Sequence, residues 1–289
     1  MTEWLDTVVQ GVLLGGLYAL FALGLSITYG VMRLVNIAHG DFIVLAAYAA
    51  LPLVSGLGWH PFAALPVVVA AMAALGYVLQ VALLNRTLGP DILPPLLVTF
   101  GLSIVIQNGL LEAFSADARS LQVGALQTAS LQLGDSLTIG GLPLLVFGVA
   151  LGLTWAVSLL FSKTSVGIAL RATSDDPATA GLMGIRAGHV YGLALGLSFA
   201  LVAVGGVFSG IRTTFTPDAG PLSLLFAFEA VVIGGLGSLW GTFAGAVILG
   251  LSQTVGAKID SGLGIMFGHL VFLAVLLFKP DGLFAKTRS

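Results

Sequence analysis

The segment Ser174-Asp-Asp-Pro-Ala-Thr-Ala-Gly-Leu-Met-Gly-Ile185 lies between two long apolar runs, 141–162 and 189–211. Its contrast with those neighbours decides the fold, because it reads as a short helix kept in water beside segments that belong in a bilayer. Asp176 stands where a helix N-cap belongs, and Pro177 holds the first helical position, where its missing N–H costs nothing. Gly184 stands where a helix stops. The spacing predicts a helix over 177–183, with the carboxylates of Asp175 and Asp176 at the positive end of its dipole. Two readings stand side by side: an ordinary capped connection and a docking element for a partner.

Outward from this segment, apolar runs near the length of about 20 residues that a spanning helix needs recur along the chain. They cover 8–29, 41–58, 61–84, 95–114, 141–162, 189–211, 222–236, 239–257 and 263–279. Hydrophobic residues make up 57% of the 289 and charged residues 8%, and mean hydropathy is +1.06, far from the composition of a water-soluble domain. The runs are continuously apolar rather than alternating, which selects helices over a barrel. The expected fold is an all-α polytopic membrane bundle of about 8–10 spans, some of them broken or re-entrant. Residues 1–289 read as a single transmembrane domain.

Charge sets the expected orientation. With the amino terminus outside and nine spans, Arg33, Arg86, Lys163, Arg171, Arg186, Lys279, Lys286 and Arg288 fall inside, and Arg119, Arg212 and Lys258 outside. Positive residues favour the cytoplasmic side, so 163–188 and the carboxyl end are expected there. The start, Met1-Thr-Glu-Trp-Leu-Asp6, is acidic and lacks the positive region of a signal peptide, so the first span is expected to be retained. The external loop 115–140 carries alternating Leu131-Gln-Leu133 and Leu137-Thr-Ile139 around Gly134-Asp135-Ser136, a hairpin pattern. It suits either a cap on the bundle or a docking surface.

Three places put polarity or backbone freedom at membrane depth. Val31 to Asp41 mixes Arg33, Asn36, His39 and Asp41 with apolar residues, as in a re-entrant or broken helix buried in protein; the alternative is an interfacial loop with Arg33 snorkelling and Asp41 capping the next span. Gly234-Gly-Leu-Gly-Ser238, with Gly235 and Gly237, breaks helix and suits either a path-lining break or a tight turn. Single polar residues lie within spans: Gln107 and Asn108, which suit inter-helix hydrogen bonds, Glu112 at a span end, and Glu229, which at mid-span needs a cavity, a proton or a cation from another helix. An echo 201 positions apart (241 − 40), His39-Gly-Asp-Phe42 and Trp240-Gly-Thr-Phe243, suits either related halves or a coincidence of Gly and Phe.

Several chemistries find no support. The chain has no cysteine, and its four histidines are scattered, so no metal set or nucleophile–base arrangement is assembled. A net charge of -2 argues against a nucleic-acid partner. No enzyme, metal or cofactor is expected.

Taken in order, Gly16-Leu-Tyr-Ala-Leu20, Val35-Asn-Ile-Ala-His-Gly-Asp-Phe42, Gln107-Asn108, Arg171-Ala172 with Ala180 and Gly184-Ile185, Gly234-Gly-Leu-Gly-Ser238 and Pro280-Asp-Gly-Leu283 carry a resemblance. Over nearly its whole length the chain resembles the permease subunits of bacterial branched-chain amino-acid ABC importers. The resemblance implies a multi-pass protein of the inner membrane that pairs with a second, homologous or identical permease. It implies two cytoplasmic ATP-binding subunits and a periplasmic binding protein delivering amino acid. Residues 174–185 would be the coupling helix, with Arg171, Asp175, Asp176, Pro177, Ala180, Gly184 and Ile185 at the ATPase and Ala180 and Gly184 allowing close approach. Asn36, His39, Gln107, Asn108, Glu229 and 234–238 would line the path. Relatives often carry a Lys shortly before the Gly-Gly, where this chain has Phe226 and, nearby, Glu229, which bears on substrate preference. A self-sufficient carrier or channel for small amphipathic solutes is the alternative, with Glu229 as its coupling carboxylate. A scaffold without transport would leave the three membrane breaks unexplained.

Overall fold

The structure, a computed structural model, describes residues 2–89, 91–133 and 137–284. Its centre is α1, Thr2–Met32, whose 31 residues extend about 46 Å at 1.5 Å per residue. Leu17 to Leu25 of α1, apart from Gly24, belong to the buried hydrophobic core, because α6 (Gly141–Lys163), α9 (Ala187–Arg212), α10 (Gly220–Gly234) and α11 (Leu239–Ile259) pack around it. Within a bilayer, packing must come from close approach rather than from water exclusion. The α1–α11 seam provides it: a Cβ on Gly15 would lie 2.5 Å from the Val247 Cα.

α3 (Pro61–Ala82) packs along α9, and α2 (His39–Leu51), extended by a π-turn at Pro52–Gly56, sits against α9, α10, α3 and α4 (Leu93–Phe114). α12 (Gly264–Phe278) flanks α11. Exposed residues on α3, α4, α6 and α12, such as Val78, Val105, Trp155 and Leu273, are those a bilayer would cover. Seven of these helices are long and apolar enough to cross a membrane, and Gly220–Gly234 and Gly264–Phe278 are shorter apolar helices. The chain is a polytopic helical membrane bundle.

The two ends of the bundle are distinct. At one, Lys258 at the end of α11 pairs with Glu3 at 2.9 Å. Next to it, Gln10 Nε2 donates to the Thr138 carbonyl at 2.9 Å, and Arg119 and Phe215 exchange backbone hydrogen bonds. A short α5 (Ala125–Thr128) and the antiparallel pair β1 (Ser130–Leu133) and β2 (Leu137–Gly140) lie here. The hairpin's predicted turn, Gly134-Asp135-Ser136, is outside the described residues, as are Lys286 and Arg288. At the other end lie Arg33, Arg86, Lys163, Arg171, Arg186 and Lys279.

The polar segment 163–188 holds more structure than the single short helix expected of it. An additional helix, α7 (Ser165–Asp175), precedes α8 (Pro177–Leu182). Thr164 Oγ1 caps α7 by accepting from the Gly167 N–H at 3.1 Å. Leu170 and Ile185 then fold against Ile27, Val31 and Val190 in a separate apolar cluster.

Candidate functional site

The chain turns back into the bundle after α1. His39 Nε2 lies 2.8 Å from the carbonyl oxygen of Phe21, and Phe21 precedes the end of α1 by eleven residues, about 16 Å at helical rise. The six residues 33–38 can span about 20 Å when extended, enough for that climb. Non-helical backbone at such depth needs partners from protein. Thr99 Oγ1 accepts from the Ile37 N–H, Asn36 Oδ1 from the Ala38 N–H, and the Asn36 carbonyl from the His39 N–H. Asn36 and His39 are fully buried. Since Phe21 can only accept, Nε2 of His39 carries the proton, and its Nδ1 and the Asn36 Nδ2 have no partner among the described residues.

Asp41 does not cap α2. The N-cap position is Ala38, without a side-chain cap, and Asp41 is buried one turn in, where Gln107 Nε2 donates to its Oδ1 at 2.9 Å. That oxygen also reaches the start of α10, since a Cβ on Gly220 would overlap it, while a Cβ on Gly40 would overlap the Gly220 carbonyl. Two helices therefore begin at membrane depth and meet through glycines. The echoed Gly241 makes the matching contact with Gly234 at the far end of α10.

The other expected path residues are dispersed. Asn108 faces outward and donates to the Ile104 carbonyl of its own helix. Glu229 is 1% exposed and bonds through Oε1 to Nδ1 of His269 on α12, the partner its own span lacks. Gly234 to Ser238 form a tight turn, with φ of 104° at Gly235 and 79° at Gly237, and Ser238 caps α11 through the Gly241 N–H. The carboxyl segment closes over this turn, the Leu283 and Phe284 N–H groups donating to the Ile233 and Gly234 carbonyls at 2.9 and 3.1 Å.

Sequence reasoning missed a cavity of about 280 Å³ on the amino-terminal side of these elements. Leu17, Tyr18 and Phe21 of α1, Ile43 and Val44 of α2, and Phe226 of α10 form apolar walls. Ser209, Arg212, Thr213, Thr214 and Ser223 supply its polar part. The one signal was Ser209-Gly-Ile-Arg-Thr-Thr214 at the close of a span, read only as a charge outside.

Beyond the opposite end of the membrane-crossing helices, α8 is closed at both ends. Asp176 Oδ1 accepts from the Ala178 and Thr179 N–H groups at 2.9 and 3.2 Å. The Thr179 hydroxyl, foremost, and these backbone groups hold the Asp176 carboxyl below its usual value. The Ile185 N–H donates to the Ala180 carbonyl and the Gly184 N–H to that of Gly181, at 3.1 and 3.0 Å, around Gly184 at φ 83°, a Schellman ending. Arg171, Asp175, Asp176 and Pro177 are exposed and Ile185 is half-buried. Ala180 is turned inward, 4% exposed. A Cβ on Gly184 would meet nothing, so that glycine serves the left-handed backbone. The large exposed groups are Leu182 and Met183, at 88% and 80%.

Residues 7–279 match the family described as the permease component of branched-chain amino acid transport systems. The chain belongs to this family. Among relatives of this permease, the high-affinity branched-chain amino acid transport system permease protein BraD of Pseudomonas aeruginosa is 28% identical over 98% of this chain and 96% of its own. The corresponding protein LivH of Escherichia coli K12 is 26% identical with the same coverage. A differently named permease, LivM of Salmonella typhimurium, is 25% identical over 94% of this chain and 68% of its own.

Proposed function

We propose that this chain is the transmembrane permease subunit of an ABC importer for branched-chain or related hydrophobic amino acids, one domain throughout. A periplasmic binding protein delivers the substrate, two cytoplasmic ATP-binding subunits drive the cycle, and a second permease completes the membrane unit. The names LivH and LivM for distinct relatives favour a homologous rather than an identical partner. The amino terminus is periplasmic and the 163–188 side cytoplasmic, in keeping with the positive-inside rule.

The observation that carries this reading is the pair Leu182 and Met183. Two large apolar side chains held in water by a doubly closed helix are unfavourable for a free loop and suited to a partner's pocket. Movement imposed there has a physical route inward: Ser174 Oγ donates to the Gly30 carbonyl at 2.6 Å, and Gly30 packs on Gly237 of the 234–238 turn. A push on α7–α8 would thus shift the end of α1 against the α10–α11 turn, near which the path would close. Asn36, His39, Gln107 and Glu229 lie farther along the path in this account, with Gly234, Gly235, Gly237 and Ser238 at its cytoplasmic gate. A self-sufficient carrier needs Glu229 as a free coupling carboxylate, and its bond to His269 disfavours that.

Proteoliposomes holding the full set of subunits test the reading. Leucine uptake should require ATP inside the vesicles with its hydrolysing subunits on the chain. Uptake by this chain alone, driven by a proton or sodium gradient, would overturn it in favour of the carrier.

A further inference from the structure

We infer that the cavity between α1, α2, α9 and α10 is a binding subsite that holds a small apolar amino acid by its carboxylate, with Arg212 as the anchoring group. The inference rests on the permease reading and names the part of the substrate that this chain itself recognises. Arg212 is half-buried and has neither an ion pair nor a hydrogen bond among the described residues. Its place in the last turn of α9 lets the helix dipole stabilise the cation without neutralising it. A guanidinium so placed, half-buried in the cavity lining, offers a planar fork matched to a carboxylate.

The remaining lining fits the other end of such a molecule. Leu17, Phe21, Ile43, Val44 and Phe226 present hydrocarbon, and the volume, about 280 Å³, is near the lower end for small-molecule pockets. No Asp or Glu lines the cavity, so an ammonium group finds no counter-charge there. The subsite therefore reads carboxylate and side chain, not the amino group.

Because the natural chain has no cysteine, Ser223→Cys gives a single reporter in the lining. In nanodiscs, its reaction with the uncharged reagent N-ethylmaleimide should be slowed by L-leucine and by 4-methylpentanoate, which lacks the amino group, but not by isoamylamine, which lacks the carboxylate. In the Arg212→Gln background the same cysteine should react at the same rate without ligand, which reports an intact cavity. There the leucine concentration for half-protection should rise by about tenfold or more, with Arg212→Lys between the two. Equal protection by the amine, or protection unchanged in Arg212→Gln, would overturn the subsite. ATP-driven leucine uptake by the assembled importer separates the two ideas: uptake with no protection refutes the subsite alone, and protection with no uptake refutes the transport reading.

Discussion

His39 Nε2 and the Phe21 carbonyl are 2.8 Å apart, which ties the start of α2 to the middle of α1 rather than to its end. That bond holds the re-entrant segment 33–38 at depth. His39→Ala removes a buried donor and should destabilise the bundle by about 1–3 kcal/mol. The measurement is the unfolding free energy in mixed micelles titrated with sodium dodecyl sulfate; no change would mean that the bond does not hold the segment.

Gly40 and Gly220 meet where α2 and α10 both begin. Gly40→Ala and Gly220→Ala would each insert a methyl into the other helix or into Asp41, so both should lower the thermal midpoint, and the double variant should fall short of their sum because one contact is lost. Gly148→Ala and Gly152→Ala on α6 are the contrast. Their added Cβ meets nothing within 4 Å, so each should gain about 0.5–1 kcal/mol from helix propensity.

The Glu229–His269 contact joins α10 to α12. His269→Ala leaves the buried Glu229 carboxyl without its partner and should cost about 1–3 kcal/mol. Glu229→Gln in that background should recover much of the loss. A double-mutant cycle in the same micelles checks this, and additive effects would show that the two side chains act independently.

Asp176 links pH to α8. Its carboxyl lies below the usual carboxylate range in the folded loop, so its contribution is complete above that range and is lost as pH falls through the lowered value. Amide hydrogen exchange at Ala178 and Thr179, corrected for intrinsic rates, should therefore quicken on acidification. Asp176→Ala should show the quickened exchange already at neutral pH and lose the acid dependence.

The nine apolar runs and the ends of α8 were legible because each depends on local pattern: length of hydrocarbon, or an Asp-Pro and a Gly at helix boundaries. The partners of Asp41 and Glu229 were not, since Gln107 and His269 lie 66 and 40 residues away and only packing brings them near. α7 was hidden because its polar composition reads as loop, and its stability comes from Leu170 folding onto Ile27 and Val31. The cavity was illegible for the same reason. Its walls come from four helices, and Arg212 looked like one more interfacial charge.

Under the proposed function, ATP-driven movement enters the bundle through α8. The double variant Leu182→Glu with Met183→Glu changes two exposed positions and should leave the bundle folded. In proteoliposomes with the complete set of partner subunits, ATP-dependent leucine accumulation should fall by about tenfold or more as the proposed apolar contact with an ATP-binding subunit is lost. Undiminished accumulation by this variant, at normal assembly, would contradict the account.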